Sequence, residues 1–339
     1  MQTDRILQID VAPQIPGLLF RLFEDVADFT RIARLRADTN AHDQVESADD
    51  PEQIQYFLEH QEGLDLNRDV VFALVDGEMV AYARMFAYTE KASGDRVYSI
   101  YGLSHPAWRG KGIGSTLVRA LEHRARGLVQ ANPPEASALV ESFIVTKRQG
   151  AVALFEQLGY LRARSFVMMK RPDLENIPEL PLPEGIETRP VLPEHYRPIW
   201  DASSEAFSEH WGYFDVGEEA YQAYLKAPEF QPDLWQVAWD GDQVVGMVRS
   251  FINEKENERY GFRRGWTEDI CVRKPWRGRG IASALIARSL QTLKERGMQH
   301  ATLGVDVDNP TKALRLYQGL GYREYQQEAN YRKTLYTRE

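Results

Sequence analysis

The chain repeats itself, and that limits its possible folds more than any other feature. Residues 70–85, VVFALVDGEMVAYARM, parallel residues 234–249, LWQVAWDGDQVVGMVR. Residues 105–128, HPAWRGKGIGSTLVRALEHRARGL, parallel 273–298, RKPWRGRGIASALIARSLQTLKERGM. Residues 151–163, AVALFEQLGYLRA, parallel 312–324, KALRLYQGLGYRE. Matched blocks in the same order describe a duplicated domain. The length of 339 residues agrees, because two domains of roughly 150 residues suit it better than one oversized core. Residues 171–183, RPDLENIPELPLP, are rich in proline and carry neither helical nor strand periodicity. They read as a linker, so an N-terminal domain over 1–170 and a C-terminal domain over 184–339 are expected.

Each copy follows one order. A strand (about 17–23 and 185–190) leads through helical segments to a hairpin turned at Asp-Gly, the strongest short-range hairpin signal. A long strand (about 95–104 and 264–273) then runs into a glycine loop and an amphipathic helix. Another strand (135–145 and 300–307), a short helix (147–158 and 310–320) and closing strands finish the unit. Strands alternating with helices predict an α/β class with a mixed, partly parallel sheet. The N-terminal copy inserts ANPPEAS before its late strand, a surface loop by composition.

The glycine loops read Arg109-Gly110-Lys111-Gly112-Ile113-Gly114 and Arg277-Gly278-Arg279-Gly280-Ile281-Ala282. Each lies between a strand and a helix, where unpaired amides and the positive end of the helix dipole face the loop. Glycines let the backbone approach a ligand closely, and the product is a pyrophosphate cradle. Neither loop ends in the Gly-Lys-Ser/Thr of a Walker loop. Ser115 and Ser283 stand where a dinucleotide fingerprint needs its third glycine. A glycine-eased turn explains one such loop as well as a ligand does; two in register inside a repeat favour the ligand.

The pattern Arg/Gln-x-x-Gly-x-Gly/Ala, followed by Leu-Tyr-x-x-x-Gly-Tyr/Phe on a later helix, resembles the GCN5-related N-acetyltransferase (GNAT) superfamily. The tandem arrangement is similar to that of the mycothiol synthase family. The resemblance covers most of each copy. It implies two GNAT-like acyl-CoA N-acyltransferase domains using acetyl-CoA as donor. Its pantetheine would lie along the strand before the loop, with the pyrophosphate on the loop amides. In this sequence those positions are Cys271 and Val272 by backbone, then Arg277, Gly278, Arg279, Gly280, Ile281 and Ala282. Ser104 and Arg109 to Gly114 are the N-terminal counterparts.

Acetyl transfer to an amine requires a base, since an alkylammonium of pKa about 10 has no free lone pair. It also gains from an acid beside the departing thiolate, of pKa about 8.5. In Trp266-Thr267-Glu268-Asp269-Ile270-Cys271-Val272, alternation turns one of the two carboxylates toward the cleft. Glu268 shares parity with Ile270 and Val272 and resembles the family's base; Asp269 is the reserve, and a strand bulge beside the site would exchange them. A salt bridge from Glu268 to Arg263, Arg264 or Arg273 is the structural alternative. Tyr317 matches the family's general acid. Asn309 is similar to the asparagine that contacts the cofactor arm, and reads equally as an N-cap before Pro310.

The N-terminal copy has no carboxylate between Val97 and His105, Phe155 in place of Tyr317, and Lys147 in place of Asn309. It is expected to bind acetyl-CoA weakly or structurally without catalysing, unless Tyr98 or Tyr101 restores activity. The acceptor is expected to be a primary amine of a small polar molecule. Glu209, His210, Trp211 and Tyr213, between the first two helices of the second copy, are candidates to line its pocket or simply to pack a core. The Glu-Asp pair resembles diamine acetyltransferases; the tandem arrangement resembles enzymes acting on a sugar-linked cysteinyl amine.

Composition excludes other classes. A net charge of −9 argues against bulk nucleic-acid binding. No apolar run approaches the roughly 18–20 residues of a membrane span, and the N-terminus lacks a signal-peptide pattern, so a cytoplasmic location is expected. The single cysteine, Cys271, rules out an intrachain disulfide and reads as a small buried residue. The seven histidines show no metal-ligand spacing. A monomer is expected, the duplication supplying internally the pairing that single-domain relatives obtain by dimerising.

Overall fold

The computed structural model describes residues 5–9, 11–46, 50–309 and 313–337. Local signals place the elements. In chain order these begin with β1 (Leu18–Leu22), α1 (Ala27–Asp43), α2 (Pro51–His60), α3 (Leu66–Asp69), β2 (Val70–Val75), β3 (Glu78–Thr89), β4 (Arg96–Ser104), α4 (Ile113–Ala131), β5 (Ala138–Val145) and α5 (Gln149–Gln157). There follow β6 (Leu161–Arg171), β7 (Ile186–Thr188), α6 (Tyr196–Phe207), α7 (Glu218–Tyr224), β8 (Gln236–Asp240), β9 (Gln243–Phe251), α8 (Glu254–Tyr260), β10 (Arg264–Val272), α9 (Ile281–Glu295), β11 (His300–Asp306), α10 (Ala313–Gly319) and β12 (Arg323–Tyr336). At the first hairpin Asp76 and Gly77 take φ of 51° and 87°, the left-handed pair that a two-residue primed turn demands.

The two compact units do not divide at the linker. Unit 1 comprises Met1–Ala163 together with Glu328–Glu339, and unit 2 comprises Arg164–Gln327. In the first, the strand order is β1-β2-β3-β4-β5-β12; in the second it is β6-β11-β10-β9-β8-β7. In each, one pair is parallel, β4 with β5 and β10 with β11, and the other pairs for which a register is resolved are antiparallel. By sequence β6 closes the first repeat and β12 the second. Instead β6 pairs with β11, Ala301 opposite Arg171 through Asp306 opposite Phe166, and β12 pairs with β5 from Glu328–Val145 onward. The repeats have exchanged closing strands. Side chains hold the exchange. The buried Glu141 carboxylate accepts from Tyr88 Oη, Asn330 Nδ2 and Arg332 Nε, each at 3.0 Å.

Both sheets are covered on two faces, which is why β2 and β9 read as nearly unbroken apolar runs. In unit 1, α4 packs with Ile113, Leu117 and Leu121 on one face, and α1 with Phe29, Ile32 and Leu35 on the other. In unit 2, α9 buries Ile281, Leu285 and Leu290 on one face, and α6 buries Ile199, Ala202 and Ala206 on the other.

Candidate functional site

The second glycine loop follows β10 through a short 3₁₀ turn, Lys274–Trp276. Gly278 and Gly280 take φ of 77° and 84°, and Gly280 heads α9 with no side-chain cap. A methyl group built on either glycine meets nothing within 4 Å. Backbone conformation therefore demands glycine there, the space beside each Cα is open, and no side chain caps the helix amides. Arg277 pins the loop: Nε donates to the Val272 carbonyl at 2.9 Å and Nη2 to the Ala206 carbonyl at 3.2 Å. A diphosphate fits this cradle.

Beside the loop the parallel strands separate. β10 and β11 pair from Arg264–His300 to Trp266–Thr302 and no further, although β10 runs to Val272 and β11 to Asp306. A strand that loses its neighbour leaves backbone groups to be satisfied otherwise. One is: the Gly304 amide donates to Glu268 Oε1 at 3.2 Å.

On its other edge β10 bulges. Glu268 lies opposite Arg249 and Cys271 opposite Met247, so Asp269 and Ile270 together face one residue of β9. Asp269 takes φ of 47°, the left-handed conformation a bulge needs. Strict alternation put Glu268 with Ile270 and Val272. With the extra residue Glu268 shares its face with Cys271, which packs in the α6 core, while Ile270 and Val272 pack toward α9.

The two carboxylates thereby have different surroundings. Asp269 is held by the buried Arg249 at 2.6 Å, whose guanidinium lies 4.8 Å from the Tyr224 ring centroid and 5.7 Å from that of Trp235. Among the described residues Glu268 pairs with no cation: Arg264 goes to Glu256 at 3.3 Å and Arg273 to Glu205 at 2.7 Å. Desolvation of the half-buried Glu268 carboxyl, with the Asp269 charge as second cause, raises its pKa to about 8, against the Gly304 hydrogen bond. Tyr317 is buried with its ring centroid 6.1 Å from that of Tyr322. Desolvation, then the charge of Glu268, pushes its hydroxyl pKa upward, so it stays protonated. The Cys271 thiol, buried and next to Asp269, is pushed up to about 12, away from thiolate chemistry.

The acetyltransferase (GNAT) family model matches residues 30–160 and again residues 197–322. The chain belongs to the GNAT family. It is an acetyltransferase of tandem-domain type. A mycothiol acetyltransferase of Salinispora arenicola is 31% identical over 267 residues, spanning 76% of this chain and 79% of that protein. Another, of Salinispora tropica, is 31% identical over 235 residues, spanning 67% of this chain and 70% of that protein. A solved GCN5-related N-acetyltransferase from Sphaerobacter thermophilus superposes with a TM-score of 0.73 at 29% identity, covering 94% of this chain and 96% of that one. A tandem GNAT protein from the clavulanic acid biosynthesis pathway shares the fold, with a TM-score of 0.66 at 15% identity over 95% of this chain and all (100%) of that one.

In this GNAT unit the four residues between α6 and α7 have different surroundings. Exposed Glu209 pairs with Lys274 at 2.8 Å and Arg277 at 3.7 Å, against the loop. Half-buried His210 stacks edge-on to Phe207 at 4.7 Å. Burial and then Arg277 lower its pKa, while Asp306 at the end of β11 opposes. Trp211 lies 6.1 Å from Phe166, with the Arg164 guanidinium 5.6 Å from its ring; the Tyr213 amide donates to the His210 carbonyl at 3.2 Å. Arg164 in turn holds Asp306 at 2.8 Å. Sequence reading missed Arg164 and Phe166, which the exchanged β6 brings in from the first repeat. It also missed Arg249, whose signal was a lone arginine in the apolar run of β9. The Asn309 amide donates to the Asp306 carbonyl at 3.3 Å, and Pro310, which its N-cap reading needs, lies outside the described residues.

The first GNAT unit keeps the glycine-loop conformation but has no counterpart of Glu268 or Tyr317. Gly110 and Gly112 take φ of 71° and 85°, and Arg109 Nε donates to the Ser104 carbonyl at 3.2 Å as Arg277 does in its own loop. Arg109 also grips Asp43 with both nitrogens at 2.7 Å. Burial alone would raise the Asp43 pKa, but hydrogen bonds from Arg109 and His42 and the Arg109 and Arg148 charges hold it at about 2. Phe155, buried edge-on to Tyr160 at 4.9 Å, offers no proton. Lys147 is turned onto the Gln44 carbonyl. Among the described residues no cluster of His, Cys, Asp and Glu suits a metal ion, and no helix is long and apolar enough to cross a membrane.

Proposed function

We propose that unit 2 transfers the acetyl group of acetyl-CoA to a primary amine of a small polar molecule by direct attack, with Glu268 as base and Tyr317 as acid. One observation carries this reading. The opening between β10 and β11 has an uncapped glycine cradle at one end and within it Glu268, which pairs with no cation among the described residues. Acetyl-CoA supplies a thioester-activated acyl group. The loop from Arg277 to Ala282 binds the diphosphate through its amides, and the backbone of Cys271 and Val272 aligns the pantetheine arm, with Asn309 beside it. Glu268, with a pKa of about 8, takes the ammonium proton more readily than an ordinary carboxylate would. Tyr317 holds its proton for the sulfur that departs. Asp269 positions rather than reacts, because Arg249 already holds it.

Trp211 and His210 line the acceptor end, and Glu209 steadies the loop through Lys274 and Arg277. Relatives named mycothiol acetyltransferase support a small-molecule amine, and a sugar-linked cysteinyl amine and a diamine are the two candidate acceptors. Unit 1 binds the donor weakly or structurally without catalysing, and the chain acts as a cytoplasmic monomer without nucleic acid. Release of CoA across an amine panel tests the whole reading. Turnover with small amines is expected. Tight donor binding without turnover would make the protein a sensor, and preference for peptides would make it a peptide acetyltransferase.

A further inference from the structure

Unit 1 carries, at the place that matches the catalytic cleft of unit 2, a site of opposite sign. Arg84 on β3 faces Tyr101 on β4 in register, as Arg249 faces Glu268. In unit 2 the bulge residue Asp269 neutralises Arg249 at 2.6 Å. Strand β4 has no bulge: its register with β3 runs unbroken from Thr89–Arg96 to Ala81–Ser104. The residue that would carry the acid is missing. Among the described residues no carboxylate pairs with Arg84, and its Nη1 is buried without a hydrogen-bond partner.

A second cation shares the spot. The guanidinium carbons of Arg36 and Arg84 lie 5.9 and 5.3 Å from the Tyr101 ring centroid. Phe57 and Phe86 flank Arg84 at 5.1 and 5.8 Å, and Phe57 is half exposed. Burial disfavours the charged form of Arg84 and the Arg36 charge adds to this, with only the Tyr82 and Tyr101 hydroxyls opposing. Ring faces attract a guanidinium but satisfy none of its N–H groups. Two like charges around one ring, one with an unmet N–H, form an arrangement that a bound anion relieves.

We propose that Arg84, Arg36 and Tyr101 form an anion site in unit 1 that takes a small organic carboxylate. The planar carboxylate matches the guanidinium fork, and the apolar body of the ligand lies against Phe57 and Phe86. The duplicated cleft has thus exchanged its acids for bases: one copy presents carboxylates to an amine, the other arginines to an acid. This site stands whether or not unit 2 catalyses as proposed.

Thermal unfolding of the full chain tests it, with benzoate, acetate, inorganic phosphate and chloride compared at equal ionic strength. Benzoate at saturation is expected to raise Tm by ~2–4 °C, acetate less, and phosphate and chloride negligibly. Arg84→Met should abolish the benzoate shift and Arg36→Met should reduce it. Should Arg84→Met fail to fold, Tyr101→Glu serves instead: an internal counter-ion should raise the Tm of the free protein and remove the response to benzoate. A benzoate shift no larger than that of chloride, or one unchanged in Arg84→Met or Tyr101→Glu, would overturn the site. A phosphate shift equal to that of benzoate would overturn the carboxylate assignment and leave a general anion site.

Discussion

Glu268 and Asp269 are neighbours in sequence with opposite surroundings. The Glu268 pKa of about 8 lies above its ordinary 4.5, so between those values the folded state holds a proton that the unfolded state releases. Stability attributable to this group is therefore complete below about pH 4.5 and declines as pH rises toward 8. Glu268→Gln should raise Tm relative to wild type at pH 9 by a few degrees, ~2–5 °C, and leave it unchanged at pH 4. Thermal scans at the two pH values check this; equal Tm at pH 9 would show that Glu268 is not strained by ionisation. Removing the Asp269 charge should lower the Glu268 pKa, so Asp269→Asn is expected to move the acidic limb of kcat/KM to lower pH, and Arg249→Met to move it to higher pH. Tyr317→Phe should reduce kcat by about 10²-fold or more with donor affinity unchanged, as single-turnover and binding measurements would read. The residue types at these positions were legible in the sequence. The parity of Glu268 was not, because it depends on a single left-handed residue, Asp269.

Local elements were the most legible. Asp-Gly turns and glycine loops act through backbone conformation, which neighbours in sequence dictate. Gly280 at φ of 84° should tolerate Ala with a loss of about 1–2 kcal/mol in stability, and a raised donor KM shows whether its open space is the cradle. The bulge makes a similar demand. Asp269 at φ of 47° should accept Gly in conformation while losing the Arg249 pair, whereas Asp269→Val should cost a further 1–2 kcal/mol or so through strain in a β-branched residue. Urea melts of both variants compare them, and equal stabilities would contradict the strain. Separation of β10 from β11 was not legible, since it concerns strands far apart in sequence whose pairing stops for tertiary reasons. Gly304 was a partial signal: a glycine inside a strand marks close approach, and here its amide meets Glu268.

For the molecule as a whole, the repeat announced two copies, but no local pattern says which sheet a strand will join. β6 and β12 read as closing strands of their own repeats and close the opposite ones. Cutting the chain within 171–183 therefore leaves residues 184–339 without β6 and residues 1–170 without β12. Each fragment alone should be insoluble or unfolded, and coexpression should restore a folded, active protein; a stable, active 184–339 fragment would contradict the exchange. The central claim, that the cleft of unit 2 performs acetyl transfer through Glu268, is tested most directly by kcat/KM against pH for wild type and Glu268→Gln. The wild-type profile should rise with its midpoint near pH 8, following the Glu268 pKa, and level off about one unit higher, and the variant should lose that step and fall by about 10²–10⁴-fold. A variant that keeps both the step and the rate would contradict it.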